Sequence, residues 1–337
     1  MNVKAEREVL VLGATGGIGG AVARKLRRLG WTVRALNRNA AGARLRHPEF
    51  DWRQGDAMNA ADVLKAAEGV ELIVHAVNPP GYRHWQKFVL PMLDNTIAAA
   101  RTVGARILLP GTVYNFGPDA FPEITEASPQ NPATAKGRIR VEMERRLEAV
   151  SGEGVPVIIV RAGDFFGPGA ANNWLSQGLV TPGKPVTSVL YPGKSGVGHQ
   201  WAYLPDVAET MVRLVEKADR LPAFAVYHMQ GHWDPDGTAM TAAIARATGR
   251  ARLKVRRFPW LLVPFAAPFV PFLKELKEMR YLWQEPLRMT NDRLLAELGE
   301  EPHTPLDEAV KATLTSLGCL PQAATPAGGL QPMQVSS

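Results

Sequence analysis

The sequence contains very little cysteine: Cys319 is the only one among 337 residues. A single cysteine excludes a disulfide within the chain and is typical of proteins that live in a reducing cytosol. No set of His, Cys, Asp and Glu residues has the spacing of metal ligands, so we expect no metal. The composition therefore predicts a cytoplasmic protein without a metal centre.

Long apolar runs are also missing. The most apolar stretch, residues 258–273, is short for a bilayer span and contains four prolines. We interpret it as packed helical turns in a substrate lobe, with a membrane-surface patch as the less favoured alternative. The N-terminal segment is charged and lacks the apolar core of a signal peptide, so we expect neither secretion nor a membrane span.

Positive charge exceeds negative charge, with a formal net charge of +7. The densest basic cluster, residues 250–257, alternates basic and mostly apolar side chains, which predicts a strand with one basic face. The plain interpretation is a solvated face, and the alternatives are an anionic substrate or nucleic acid. Since no nucleic-acid-binding module is recognisable, we expect no nucleic-acid partner.

An apolar run followed by closely spaced glycines opens the chain. Residues 8–12 suit a strand buried on both faces, and a helix is predicted over residues 18–29. Between them, Gly13 permits a tight turn, Gly16 allows a pyrophosphate to approach, and Gly19 allows the helix to pack on the strand. The first amides and the dipole of the helix would hold the phosphates. The predicted cofactor contacts here are Gly13, Thr15, Gly16, Gly17, Ile18 and Gly19.

The second predicted strand, residues 32–36, ends in Asn37 and Arg38 without a carboxylate. NAD sites usually place Asp or Glu there to accept the ribose hydroxyls, whereas an arginine suits a 2′-phosphate. We therefore favour NADP(H) over NAD(H), with Arg34 or Arg44 as helpers of Arg38. The alternative is that these arginines are ordinary surface charges.

Strand and helix patterns alternate through the first two-thirds of the chain, which predicts an α/β fold of Rossmann type: a doubly wound parallel sheet with a smaller mixed C-terminal substrate lobe. We expect a nucleotide-binding domain over 1–166, with returning elements at about 199–230. The lobe would comprise 167–198 and 231–318, and 319–337 would be a disordered tail. Later strands are predicted at 50–53, 71–77, 105–110, 155–161, 200–204 and 224–229, and later helices at 83–103, 138–150, 205–217, 237–248, 291–298 and 305–317.

Six ordered segments make the chain resemble the extended or atypical short-chain dehydrogenase/reductase superfamily, in the branch called NAD-dependent epimerase/dehydratase. The resemblance covers residues 8–318. It implies a bound NAD(P), contacts of Asp56 and Ala57 near the adenine, contacts of Val77 and Asn78 beside the nicotinamide, and backbone groups of Ala162 and Gly163 offered to its amide. The matching segments are 13–19, 55–56, 75–79, 110–117, 161–169 and 203–208.

The catalytic segment of that family departs from its usual pattern here. The frame is kept by Pro132, Gly137 and Glu144, but Lys136 stands where the family has Tyr and Arg140 where it has Lys. In the family, the Tyr moves a proton to or from the substrate oxygen, and the Lys holds the nicotinamide ribose. The resemblance implies that Arg140 keeps the ribose contact, although an arginine cannot act as a base.

The replacement for the missing tyrosine stays open between three alternatives. Lys136 occupies its position, Tyr114 lies beside Thr112 at the family's Ser/Thr position, and the chain could also lack this acid–base group. Asp164 could serve as a base, although a capping or turn role is more typical of such a residue. The predicted substrate contacts are Tyr82, Trp85, Asn173, Trp174, His199 and Trp201.

The resemblance favours an NAD(P)-dependent oxidoreductase that transfers a hydride to or from a small organic carbonyl or alcohol. The aromatic pocket candidates suit an apolar or aromatic substrate slightly better than a sugar nucleotide. One alternative is an epimerase or dehydratase with a tightly held cofactor, and another is an NADP(H) sensor without turnover. The resemblance also implies a homodimer through the helices at 83–103 and 138–150.

Overall fold

The computed structural model describes residues 7–79, 85–170, 173–261, 263 and 278–320. Several sequence-based expectations lie outside these ranges: the substrate role of Tyr82, most of the apolar stretch 258–273, and the tail beyond residue 320. Cys319, at the end of the last described segment, is buried.

Within these ranges the main sheet has seven strands, and every neighbouring pair is parallel. This confirms the predicted α/β class. The order of the strands reverses between β1 (Glu8–Leu12) and β4 (Leu72–His75). Nucleotides bind at such a switch point, beyond the carboxyl ends of the strands. In spatial order the strands are β11 (Phe224–His228), β7 (Val157–Ala162), β5 (Arg106–Thr112), β4 (Leu72–His75), β1 (Glu8–Leu12), β2 (Thr32–Asn37) and β3 (Asp51–Gln54).

Helices cover both faces of this sheet because its central strands are apolar on both sides. On one face, Val22 and Leu26 share a core with Val207 and Met211 from a later helix. On the other face, the core contains Leu93, Met143 and other helical side chains. The first group of helices is α1 (Gly17–Arg28), α2 (Ala40–Arg46) and α6 (Leu204–Glu216), and the second is α3 (Ala60–Ala67), α4 (Trp85–Val103) and α5 (Ala135–Ser151).

Short strands form the smaller lobe next to the carboxyl edge of the main sheet. The predicted strand at 200–204 lies here, in a three-stranded sheet, whereas the strand at 224–229 joins the edge of the main sheet. The short strands are β8 (Asp164–Phe166), β10 (His199–Tyr203) and β12 (His232–Asp234) in one sheet, β9 (Ser188–Tyr191) with β13 (Lys254–Arg257), and β6 (Glu123–Ile124) with β14 (Arg288–Met289). Further helices in the described ranges are α7 (Ala239–Ala247), α8 (Asp292–Leu298) and α9 (Leu306–Ser316).

The basic cluster forms a strand as predicted, but it does not have one buried and one basic face. All four residues of β13 are exposed, including Val255. Among the described residues its sheet partner is β9, so β13 lies at the edge of a two-stranded ribbon where both of its faces meet water. The alternation in sequence therefore does not reflect burial here.

No helix in the described ranges is long and apolar enough to cross a bilayer. Likewise, the described part of the chain contains no cluster of three or more His, Cys, Asp or Glu side chains that could hold a metal ion.

Candidate functional site

The glycine-rich turn joins β1 to α1 at the switch point of the sheet. Gly13 has φ +91°, and a Cβ there would lie 2.5 Å from the carbonyl oxygen of Ala76, just after β4. A Cβ at Gly19 would overlap the carbonyl oxygen of Gly13. These two positions therefore accept only glycine, because the turn, the helix and the end of β4 pack directly on one another.

The N-terminus of α1 is open to an anion. Gly16 is the N-cap, and no side chain among the described residues caps the helix. Thr15 and Gly16 are exposed, and a Cβ at Gly16 would contact only the carbonyl oxygen of Gly13, at 3.2 Å. The first amides of the helix thus face an open space that a side chain at position 16 would fill. Such a space fits the phosphates of a dinucleotide.

The end of β2 presents Arg38 to solvent. The Asn37 side chain accepts a hydrogen bond from the amide of Asn39 at 2.8 Å, and the carbonyl of Arg38 accepts one from the Gln54 side chain at 2.6 Å. These bonds fix the backbone of the turn while the Arg38 side chain stays exposed. The position suits a contact with a ribose or a 2′-phosphate beyond the strand end.

The two arginines expected to help Arg38 are engaged elsewhere. Arg34 forms an ion pair with Glu8 and donates to the carbonyl of Glu68, both at the amino-terminal edge of the sheet. The expectation for Arg34 is therefore wrong, because its side chain reaches the edge opposite the strand ends. Arg44 is exposed and donates to the carbonyl of Trp52 at 3.0 Å.

Asp56 and Ala57 follow β3 in a hydrogen-bonded turn. The Asp56 carboxylate accepts from the amide of Met58 at 3.0 Å, and its own amide donates to Asp62 at 2.9 Å. The carbonyl of Ala57 accepts from the Asn95 side chain of α4 at 2.9 Å. This turn lies next to the end of β2, and its contact with the adenine stays a prediction.

Arg140 is buried at the carboxyl end of β4, close to the predicted nicotinamide side. Its guanidinium donates to the side chain of Asn78 at 3.4 Å and lies 5.0 Å from the centre of the Trp85 ring. Burial, and then the charge of Arg140, lower the pKa of His75 to about 3. The structure thus brings two predicted cofactor residues and one predicted substrate residue together in a positive field.

Tyr114, Thr112 and Lys136 belong to two segments that pack on each other. The Thr112 hydroxyl accepts from the amide of Tyr114 at 3.2 Å and begins a short turn after β5. The Thr134 hydroxyl accepts from the amide of Gly137 at 3.0 Å, which is why α5 begins three residues earlier than predicted. A Cβ at Gly137 would overlap the carbonyl oxygen of Tyr114, so the start of α5 lies directly against that turn.

Lys136 is buried, and its ammonium nitrogen lies 3.7 Å from the carboxylate of Glu278. Glu278 is half-buried and precedes a short helical turn, Met279–Trp283, in the C-terminal part of the chain. The C-terminal part of the chain therefore contacts the start of α5 at Lys136.

Sequence reasoning missed residues 278–283, although two of their side chains, Glu278 and Trp283, contact predicted site residues. The Tyr281 hydroxyl donates to the carbonyl of Phe116 at 3.3 Å, and burial together with the charge of Asp164 raises the pKa of Tyr281. Trp283 stacks on the His199 ring, with 3.6 Å between centroids and 10° between planes. No local sequence pattern predicts that this segment belongs to the site, because its contacts are with residues that are far away in the sequence.

His199 and Asp164 form a buried pair at the border between sheet and lobe. His199 Nε2 lies 2.9 Å from Asp164 Oδ2. Asp164 follows Ala162 and Gly163 at the end of β7, and a Cβ at Gly163 would overlap the carbonyl oxygen of Gln200. The pair therefore lies immediately beyond the backbone groups that the sequence assigns to the nicotinamide amide.

The remaining predicted substrate residues are packed inside the lobe. Trp201 is fully buried and meets Phe166 edge-on, while Trp174 packs against Trp283 with 5.1 Å between centroids. The Asn173 side chain is used locally, since it accepts from the amide of Ser176 at 2.9 Å and donates to the carbonyl of Ala170. Contacts of these residues with a substrate stay predictions.

Glu144 and Arg161, both in family-like segments, form a buried ion pair beneath the site. Arg161 Nε donates to Glu144 Oε1 at 3.1 Å, and a second nitrogen of the guanidinium contacts the other carboxylate oxygen. Arg161 also lies 3.0 Å from His228, whose pKa is lowered to about 3 by burial and then by the arginine charge. This network ties α5 to β7 and β11, so Glu144 supports the site from below.

Comparison with known proteins agrees with this architecture. The model of the NAD dependent epimerase/dehydratase family matches residues 9–229. An uncharacterized protein of Sinorhizobium fredii, y4nL, is 29% identical over 181 residues, which are 48% of this chain and 51% of that protein. An uncharacterized oxidoreductase of Bacillus subtilis, YesF, is 29% identical over 166 residues, covering 44% of this chain and 54% of that protein. The chain thus matches about half the length of these curated relatives.

Among solved structures, MoeE5 in complex with UDP-glucose and NAD superposes with a TM-score of 0.71 at 19% identity. The match covers 92% of this chain and 98% of MoeE5. At this identity the likeness shows the fold, including both the nucleotide-binding sheet and the lobe.

Proposed function

Because the chain belongs to the NAD-dependent epimerase/dehydratase family, we propose that it is an NADP(H)-dependent oxidoreductase acting on a small organic carbonyl or alcohol. The observation that carries the proposal is the arrangement at the switch point. An open helix N-terminus lies at one end, and two buried cations, Arg140 and Lys136, lie at the other. The chemistry of the bound cofactor is hydride transfer at C4 of its nicotinamide.

The residues of the chain would hold and orient the dinucleotide. The amides after Gly16 bind the pyrophosphate, and Arg38 pairs with the 2′-phosphate. Asn78 and Arg140, which already contact each other, hold the nicotinamide ribose. The backbone at Gly163 hydrogen-bonds the carboxamide.

The substrate oxygen would lie between the turn after β5 and the start of α5. The family frame offers Tyr114 and Lys136 as hydrogen-bond donors to it, with Thr112 beside them. Lys136 and Arg140 are both buried, and the Glu278 carboxylate offsets part of the charge of Lys136 from 3.7 Å. The remaining positive field would stabilise the negative charge that develops on the oxygen during reduction. The aromatic side chains that the sequence predicts as substrate contacts suit an apolar or aromatic molecule.

Two other readings of the same site have a specific observation in their favour. The family description and the UDP-glucose and NAD bound by MoeE5 favour an epimerase or dehydratase that keeps its cofactor. Lys136 in place of the family tyrosine favours an NADP(H) sensor without turnover. A homodimer through α4 and α5, implied by the resemblance, also stays a proposal, which sedimentation analysis of the purified protein would test.

The first experiment is a fluorescence titration of the protein with NADPH and NADH, followed by carbonyl substrates with absorbance at 340 nm as the readout. Net oxidation of NADPH supports the oxidoreductase. Substrate conversion without a net absorbance change supports the epimerase or dehydratase. Tight NADPH binding without turnover on any substrate contradicts the proposal and favours the sensor.

Arg38→Asp should weaken NADPH binding by about 10- to 100-fold and change NADH binding by less than about twofold, because a charge-assisted bond of about 1.5–3 kcal/mol to the 2′-phosphate is lost. Fluorescence titration measures both affinities. Arg46→Asp, an exposed cation at the end of the adjacent helix α2, is the matched control and should leave both close to wild type. Equal losses for the two dinucleotides in Arg38→Asp would show that no 2′-phosphate contact exists.

Lys136→Met should lower kcat by about 10- to 100-fold with little change in NADPH affinity, because a buried positive charge near the substrate oxygen is removed. Arg138→Met removes an exposed cation two residues further along α5 and serves as the control. Steady-state kinetics with the best carbonyl substrate measure the effect. A kcat that is unchanged in Lys136→Met removes this residue from the reaction.

A further inference from the structure

The buried pair Asp164–His199 lies outside the segment that resembles the family's catalytic segment, yet it is next to the proposed nicotinamide site. We infer that His199, oriented by Asp164, donates the proton that the substrate oxygen receives during carbonyl reduction, in place of the missing tyrosine. This inference rests on the proposed function and adds a residue to it. It assigns Lys136 to charge stabilisation and His199 to proton transfer.

Position is the first argument. Asp164 begins β8 directly after Gly163, at the carboxyl end of β7 where the cofactor cleft lies. His199 begins β10, and β10 runs parallel to β8. The two side chains therefore meet at the edge of the lobe that faces the sheet, and each is less than 10% exposed.

The second argument is the fixed orientation of the imidazole. Its Nε2 is held by the Asp164 carboxylate at 2.9 Å. One face of the ring lies on Trp283 at 3.6 Å, and Trp201 packs edge-on with 4.8 Å between centroids. Since the carboxylate accepts the Nε2 proton, Nδ1 is the nitrogen that carries the transferable proton when the ring is protonated. A positioned donor of this kind is what general acid catalysis requires.

Stability alone does not account for such a pair. Taking a carboxylate and an imidazole out of water is unfavourable, and a buried pair of this type is often no more stabilising than well-packed apolar residues. The surrounding lobe core is strongly apolar and aromatic, with Phe166, Trp201 and Trp283 as neighbours. Asp164 and His199 thus form a hydrogen-bonded polar pair within an otherwise apolar and aromatic core.

The third argument is the segment formed by residues 278–283, which links the pair to the catalytic frame. Its Glu278 contacts Lys136 at 3.7 Å, and its Trp283 stacks on His199. Between them, Tyr281 donates to the carbonyl of Phe116, two residues after Tyr114. The same short turn thus contacts Lys136 through Glu278 and His199 through Trp283, so one structural element links the two residues.

The step balances with the proposed cofactor. The carbonyl carbon of the substrate receives a hydride from C4 of the reduced dinucleotide, and its oxygen receives the Nδ1 proton of the His199 imidazolium. The products are the alcohol, the oxidised dinucleotide and neutral His199, which takes up a proton from solvent before the next turnover. Asp164 keeps its charge throughout and stabilises the imidazolium.

The test compares His199→Gln and Asp164→Asn with His232→Gln, which replaces another buried histidine of the same small sheet. His199→Gln should lower kcat by at least about 100-fold, and Asp164→Asn by at least about tenfold because the amide disfavours the imidazolium. His232→Gln should keep the wild-type kcat. The NADPH dissociation constant should change by less than about twofold in all three, and the melting temperatures should be similar.

Wild-type turnover that persists in His199→Gln would overturn the assignment and leave the proposed function intact. A loss of kcat in His199→Gln that His232→Gln matches would have the same consequence. A parallel loss of NADPH affinity and kcat in Asp164→Asn would show a structural role and also overturn the assignment. Absence of NADPH oxidation in the wild type with every carbonyl tried overturns the proposed function itself, and this assignment with it. If His199→Gln does not fold, the kcat of Asp164→Asn tests the assignment instead. The asparagine oxygen still accepts the hydrogen bond from the His199 ring, but the negative charge is gone.

Discussion

Glu144→Ala is expected to reduce the free energy of unfolding by about 3–5 kcal/mol, because it leaves the Arg161 guanidinium buried without its carboxylate. Arg161 is only 2% exposed, and its guanidinium donates two hydrogen bonds to the Glu144 carboxylate. His228 also lies 3.0 Å from the guanidinium, but a histidine is either neutral or positive and cannot replace the lost negative charge. Urea denaturation followed by circular dichroism measures the change.

Glu142→Ala is the matched control, on the same helix and also paired with arginine. Glu142 binds Arg145 and Arg146 at the surface, where water screens the pairs, so its removal should change the free energy of unfolding by less than about 1 kcal/mol. Equal effects of the two substitutions would show that burial does not matter for the Arg161 pair. A small effect of Glu144→Ala alone would mean that the guanidinium finds water after the substitution.

This ion pair illustrates which part of the site the sequence predicts. The resemblance placed Pro132, Gly137 and Glu144 in one segment, and the last two lie in α5, which begins after its cap Thr134 as local rules lead one to expect. The partner of Glu144 was not readable, because Arg161 belongs to a strand whose neighbours are set by the order of the sheet. The sequence pattern gives the positions of residues along the chain, and the order of the strands determines which of their side chains are in contact.

The same distinction explains the success with glycines and the failure with Arg34. Gly13 and Gly19 act through the turn and helix in which they stand, so their roles followed from the sequence and agree with the contacts in the structure. Arg34 was assigned by nearness in sequence to Arg38. In a strand, however, a shift of a few residues moves a side chain toward the opposite edge, and Glu8 on the neighbouring strand binds it there.

The lobe was the least predictable part of the site. Its contacts to the sheet come from residues 278–283, which carry no motif and become important only because the fold brings Glu278 to Lys136 and Trp283 to His199. The strand at His199–Tyr203 was readable as a strand, but its membership in the small sheet was not, since both sheets use buried strands of similar composition.

Gly16→Val is expected to weaken NADPH binding by about 1000-fold, with the fold intact. Gly16 has φ −87° and ψ 171°, an extended conformation that valine adopts readily, and the space around its missing Cβ is open apart from one contact at 3.2 Å. The added side chain would occupy the open space in front of the first amides of α1. Two charge-assisted bonds to phosphate of about 2 kcal/mol each would be lost, which corresponds to about three orders of magnitude in affinity.

Gly152→Val provides the control, because Gly152 also has ordinary backbone angles and open surroundings, with φ −66° and its nearest Cβ contact at 3.4 Å, but lies at the far end of α5. Both variants should melt within a few degrees of the wild type, and Gly152→Val should bind NADPH normally in the fluorescence titration. If Gly16→Val also binds NADPH normally, the phosphates do not lie at the N-terminus of α1. The placement of the nicotinamide beside Asn78 and Gly163 depends on that anchor, so hydride transfer at this edge of the sheet would have to be abandoned as well.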